Sequence, residues 1–274
     1  MKNVSHIFAL FFLLLLPALP AAAEEKTSQR PEEFELADSG IIKEILKSDM
    51  ILLDNDKRYR LDNVRIHPYE EELALNELKE SFLNTKVNIY TYHDESTGID
   101  RYGVPLAHIV RDDGIWLQEY LISKGAAWFF TSETSRQLSA PLRLAEEYAR
   151  AHKYGFWQNP AYAIKTPENV KNHINSFQIV EGKILYSTVG QKTVFFNFSR
   201  DWKKDFTIEI PEQFRQQFSP DPRKPFDPRT WRNRTIRVRG WVESKNGPMM
   251  KLTHPEQIDM MSDPPPAPPA RTKK

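Results

Sequence analysis

The 274-residue chain predicts a mainly β, α+β architecture of two small barrels, the first with helices packed around it. Three observations carry that expectation. Short alternating stretches between about Ser39 and Pro160 are separated by turn residues. Helical stretches interleave with them, and two of these stop on a glycine. Beyond Asn169, about five β-rich runs crowd into roughly ninety residues, with a strong hairpin signal near their end.

The first 23 residues read as a secretory signal peptide. Lys2 gives the positive start, "IFALFFLLLLPAL" the apolar run, and Ala21 to Ala23 the small residues for cleavage. A retained membrane anchor is the rival reading, against which Pro17, Pro20 and the short run count. The expectation is an exported protein, periplasmic or secreted, with no integral membrane segment after cleavage. Residues 24–38 are polar and read as a linker.

In the first segment, 39–160, "IIKEILKSDMILLDNDKRYRLDNVRI" reads as three short strands turning at Lys47-Ser48-Asp49 and Asp54-Asn55-Asp56. "EEELALNELKESFLN" places Leu75, Leu78 and Phe82 on one helical face. Strands return in "KVNIYTY" and "PLAHIVRDD". "IWLQEYLISKG" is a helix ending at Gly125, and "APLRLAEEYARAHKYG" one stopped by Gly155. Residues 161–168 are the expected hinge. In the second segment, 169–262, "FQIVEGKILYS", "TVFFNFS" and "TIRVRGWVES" read as strands, and Asn246-Gly247 turns the chain into "PMMKLTHPEQI". "SPDPRKPFDPRTW" reads as a proline-punctuated loop, and residues 263–274 as a solvated proline-rich tail.

Composition narrows the chemistry. A formal net charge of +1 supplies no global field toward nucleic acid or membrane, so any such attraction is local. Without cysteine there are no disulfides and no thiolate chemistry. The histidines His67, His93, His108, His152, His173 and His254 show no zinc-ligand spacing. His93 with Asp94 and Glu95 forms a tight polar cluster, best explained as a solvated hairpin end.

"DRYGVPLAHIVRDDGIWLQEYLISKGAAW", "AEEYARAHKYGFWQNP" and "YRLDNVRIHP" each resemble a segment of the thermonuclease (staphylococcal-nuclease-like) family. The resemblance covers nearly all of Gly40 to Pro160 and implies an OB-type five-stranded β-barrel with packed helices. It also implies a calcium-dependent phosphodiesterase in which two aspartates hold the metal, a glutamate activates water and two arginines clamp phosphate. Carried over position by position, the first metal aspartate is Asp49 and the first phosphate arginine Arg60, both kept. The second metal aspartate falls on Arg65, the glutamate on Pro68 and the second arginine on Val104.

These replacements oppose that chemistry. Calcium takes carboxylate and water oxygens, whereas a unit positive charge about 4 Å from a divalent ion repels it by roughly 8 kcal/mol at an effective dielectric near 20, an upper bound for a side chain free to swing. Proline has no proton to exchange, and valine makes no charge-assisted fork to phosphate. Arg65 either occupies the vacated metal position and pairs with Asp49, or points to solvent. Glu70, Glu71 and Glu72 are substitute bases only if the alignment slips; at a helix start they also complement the dipole. Arg58 and Arg101 are further phosphate candidates.

The second segment resembles OB-fold domains that accompany nucleic-acid enzymes, through "RVRGWVESKNGPMMKLTHPEQI". Alternation puts Arg237, Arg239 and Trp241 on one strand face, with Phe195, Phe196, Phe198 and Trp202 near in sequence. That face is either a phosphate-tracking surface with stacking platforms, or core aromatics beside solubilising arginines. The expectation is a protein with a degenerate active site that needs no cofactor and binds single-stranded nucleic acid or an envelope protein. The alternative is an active calcium-dependent endonuclease with a rearranged site.

Overall fold

A computed structural model describes residues 34–92, 98–131, 136–201 and 205–261. The signal segment 1–23, the cluster at His93, Trp202 and the tail 263–274 lie outside the described residues. Among the described residues no helix is long and apolar enough to cross a membrane.

β1 (Phe34–Lys47), β2 (Met50–Leu53) and β3 (Arg58–Leu61) are the three strands expected at the start, with turns at the expected places. β1 begins inside the stretch expected to be linker. Phe34 is buried and its ring lies 4.7 Å from that of Tyr92, so apolar burial extends the strand backwards. A two-residue strand β4 (Val64–Arg65) and a 3-10 turn over Pro68–Glu70 lead into α1 (Glu71–Ser81). On its inner side Leu78 and Phe82 are fully buried and Leu75 half-buried.

β5 (Lys86–Tyr92) and β6 (Leu106–Arg111) complete a closed five-stranded barrel of order β1-β2-β3-β6-β5. β1 closes the ring because it is long enough to pair with β5 through Phe34–Ile41 and with β2 through its second half. Register shifts between Ile42 and Glu44, and between Ile45 and Lys47, interrupt the second ladder.

α2 (Leu117–Ser123), β7 (Trp128–Phe129) and α3 (Ser139–Ala151) pack against this barrel. The two glycines expected to stop helices meet each other. Gly125 and Gly155 have φ of +65° and +51°, and the Phe156 amide donates to the Gly125 carbonyl at 3.0 Å. A Cβ on either would collide with the other's strand of backbone, so two left-handed glycines lock the ends of α2 and α3 together.

The second region is a seven-stranded sheet built from β8 (Ser176–Lys183), β9 (Tyr186–Val189), β10 (Thr193–Asn197), β11 (Thr207–Pro211), β12 (Thr235–Ser244), β13 (Pro248–Lys251) and β14 (Ile258–Met260), with a one-turn helix α4 (Glu212–Arg215) after β11. Its strand order is β14-β12-β13-β11-β10-β9, with β8 paired along the other side of β12. β12 is the hub, and the Asn246-Gly247 turn expected after it has positive φ at both residues. The proline-punctuated loop contributes core: Phe226 and Trp231 are buried against Phe196 and Phe218.

The two regions share a core. Trp128 and Phe156 of the first cluster with Phe177 and Ile179 of β8, and Tyr162 and Ile164 of the connecting segment pack on them. The segment expected to be a hinge is held down. Lys165 bridges to Val180 in the manner of a strand, and its ammonium donates to the Ala161 carbonyl at 2.6 Å.

Candidate functional site

Asp49 sits in the turn between β1 and β2, and Arg60 on β3. The Arg60 guanidinium donates to the Asp49 carboxylate at 2.7 Å and lies 2.8 Å from the carboxylate of Asp100 on its other side. Asp100 opens the "DRYG" stretch and caps its turn, accepting from the amides of Tyr102 at 2.8 Å and Val104 at 2.9 Å. Burial pushes its carboxyl up, but those amides and Arg60 outweigh burial and hold it below the ordinary carboxylate range. Arg60 is therefore clamped between two acids. Residue matching singled out Asp49 and Arg60 but passed over Asp100, whose signal was an aspartate two residues before the Tyr102-Gly103 turn.

Neither expectation for Arg65 holds. It neither pairs with Asp49 nor points to open solvent. Its guanidinium lies over three rings, 5.8 Å from Phe130, 5.8 Å from Phe177 and 5.0 Å from Trp241. Pairing of β4 with β7 sets this direction, because it places Arg65 opposite Trp128 and beside Phe130. Asp49 is already satisfied by Arg60, while the rings attract a cation that has lost part of its water. That loss of water lowers the Arg65 pKa.

Past the bend, Pro68 occupies the first turn of the 3-10 segment, where a missing amide proton costs nothing, and His67 caps it by accepting from the Tyr69 amide at 3.3 Å. The His67 ring contacts Trp128 and Tyr162, and burial pulls its pKa down. Glu70 accepts from the Tyr162 hydroxyl at 2.8 Å, and burial followed by this carboxylate pushes that phenol up to about 12. Glu71 accepts from Ser48 at 3.2 Å. Val104, where the resemblance implies a phosphate arginine, closes the Asp100 turn through its backbone alone.

These donors do not fit calcium. Calcium takes six to eight oxygens, whereas Asp49 and Asp100 share one arginine. Among the described residues no three acidic or histidine side chains are grouped to hold a metal.

Arg237, Arg239 and Trp241 do share one face of β12, but that face turns toward the first region rather than toward open solvent. Arg237 forks onto Glu181 at 2.7 Å and reaches Glu147 of α3 at 3.5 Å. Arg239 is 2% exposed and donates to Glu146 of α3, itself fully buried, at 2.9 Å and to the Phe129 carbonyl at 3.2 Å. The expected phosphate-tracking surface is corrected on this point: a buried, paired guanidinium cannot follow a nucleic-acid backbone. Trp241 remains partly exposed beside the Arg65 cage, at the edge of a recess of about 390 Å³.

Around that seam, Arg143 of α3 pairs with Asp259 and donates to the Glu256 carbonyl at 2.8 Å, and Arg150 lies 3.6 Å from Glu146. Burial, then repulsion from Arg239, brings the Arg143 pKa down to about 10. Sequence reasoning missed Glu146. The available signal was a carboxylate on the inner stripe of α3 with Leu142, Ala145 and Ala149.

No curated protein matches the chain. Residues 50–159 match the family described as Staphylococcal nuclease homologue, and the chain therefore carries a domain of that family, followed by a second β-sheet region at 176–260.

Proposed function

We propose that this is a non-catalytic, nuclease-like protein that binds nucleic acid through a rigid pair of domains. The observation that carries the reading is the engagement of Arg60 by Asp49 and Asp100. In a phosphodiesterase of this family the arginine serves phosphate and the aspartate serves metal; here each neutralises the other. The diversion of Arg65 into an aromatic cage supports the same conclusion. So do the engagement of Glu70 by Tyr162 and of Glu71 by Ser48 at the bend. Nucleic acid is the ligand that the family domain suggests. Export to the periplasm or medium belongs to the same reading and rests on the leader-like residues 1–23.

The test uses the mature protein with labelled single-stranded DNA and calcium, with and without chelator. The expected result is retention of intact DNA in both, with binding that weakens steeply as salt rises. Chelator-sensitive cleavage lost in Asp49→Ala and Arg60→Ala would overturn the non-catalytic reading in favour of a rearranged calcium endonuclease. Cleavage absent and binding absent would favour a protein partner.

A further inference from the structure

The outer face of the second sheet carries a groove that the family match does not reach. Cross-strand register sets two rows on this face. Tyr186 of β9 stands opposite Asn197 of β10, which stands opposite Thr207 of β11, which in turn faces Met249 of β13. The next row runs Thr188, Phe195, Glu209 and Lys251. The opposite face, with Val194, Phe196, Ile208 and Ile210, is buried core. Alternation therefore fixes which side the aromatic and amide groups present.

Arg200 after β10 and the Lys245-Asn246 turn after β12 line the groove, whose volume is about 640 Å³. That falls within the range of natural ligand clefts. Tyr186 is 41% exposed, a large ring left in water with no core role. Arg200 is exposed without a carboxylate partner among the described residues. Lys245 is exposed and lies 3.6 Å from the largely covered Glu209 carboxylate, a long contact open to water on the lysine's side.

We propose that this groove binds a short single-stranded oligonucleotide. Tyr186 and Phe195 offer ring faces to bases, Arg200 and Lys245 meet phosphates, and Asn197 with Thr188 meets base edges. A ring face accepts any base, so the site is tolerant of sequence, and its affinity comes from stacking together with phosphate contact. An acidic peptide would use the two cations but would leave Tyr186 idle. This inference rests on the nucleic-acid reading above and adds its location.

The experiment is fluorescence anisotropy of a short labelled oligothymidylate with the full mature protein, titrated at several salt concentrations. Tyr186→Ala is expected to weaken binding about 10-fold. Replacing Arg200 and Lys245 by glutamine together should flatten the log–log salt slope by about 1.4. All three positions are exposed, and unchanged melting temperatures confirm that the variants fold. Normal binding by the folded variants would overturn this location while leaving the nucleic-acid reading intact. No binding by the unmodified protein would overturn both. Equal competition by oligoglutamate would overturn base recognition in favour of an acidic peptide.

Discussion

Arg239 on β12 and Glu146 on α3 form a buried ion pair at 2.9 Å that joins the two halves of the chain. Neither group reaches water, and each is the other's shortest ionic contact, ahead of Arg150 at 3.6 Å from Glu146 and Asp259 at 3.9 Å from Arg239. Breaking a buried pair by removing one partner typically costs about 3–5 kcal/mol, whereas apolar replacement of both is often neutral or better. Arg239→Met or Glu146→Leu alone should lower the urea midpoint sharply, and the double substitution should recover most of the loss. Independent, additive small effects would show that the pair does not hold the seam.

Arg65 stands where the resemblance implies a metal aspartate, and substitutions there test that reading. Arg65→Ala should destabilise the protein by about 1–2 kcal/mol through lost contact with Phe130, Phe177 and Trp241. Arg65→Asp should destabilise it further, because a carboxylate beside ring faces is repelled, and should confer no calcium-dependent cleavage. Denaturant melts and the nuclease assay read the two outcomes separately.

His108 gives a pH dependence. It is fully buried on β6 between the rings of Phe34 and Trp116, and burial pushes its pKa down to about 4, only partly opposed by Asp62. Unfolded, the imidazole titrates near 6.5. Between those values the unfolded chain binds a proton that the folded chain refuses. Stability contributed by neutral His108 is therefore complete above about 6.5 and lost as pH falls toward 4, by up to about 3 kcal/mol. His108→Phe should remove that part of the slope in chemical denaturation measured across pH 4–7.

Gly125 and Gly155 should be intolerant. Alanine at either adds a Cβ that meets backbone and also strains a left-handed residue. Thermal melts of Gly125→Ala and Gly155→Ala should show losses well above those of Gly114→Ala, where a Cβ meets open space.

Most of the secondary structure was legible in the residues because it depends on neighbours. Alternation placed β2, β3, β5 and β6, and glycine and Asn-Gly signals placed the ends of α2 and α3 and the turn after β12. Arg60 and Asp49 were singled out through a motif, and the structure pairs them. The destination of Arg65 was not, because it depends on Phe177 and Trp241, more than a hundred residues away. Arg237 and Arg239 were placed on the right face of β12, but strand periodicity does not say what covers a face. Here α3 does, with Glu146 and Glu147 turned toward it. The loop holding Phe226 and Trp231 misled for a related reason: proline marks irregular backbone, and irregular backbone can still deliver aromatic side chains to a core.

The most direct measurement is calorimetric titration of calcium into the unmodified protein, with Asp49→Ala as the comparison. Arg60 holding Asp49 and Asp100 predicts no saturable heat in either protein at millimolar calcium. A saturable site in the unmodified protein that disappears in Asp49→Ala would contradict the account.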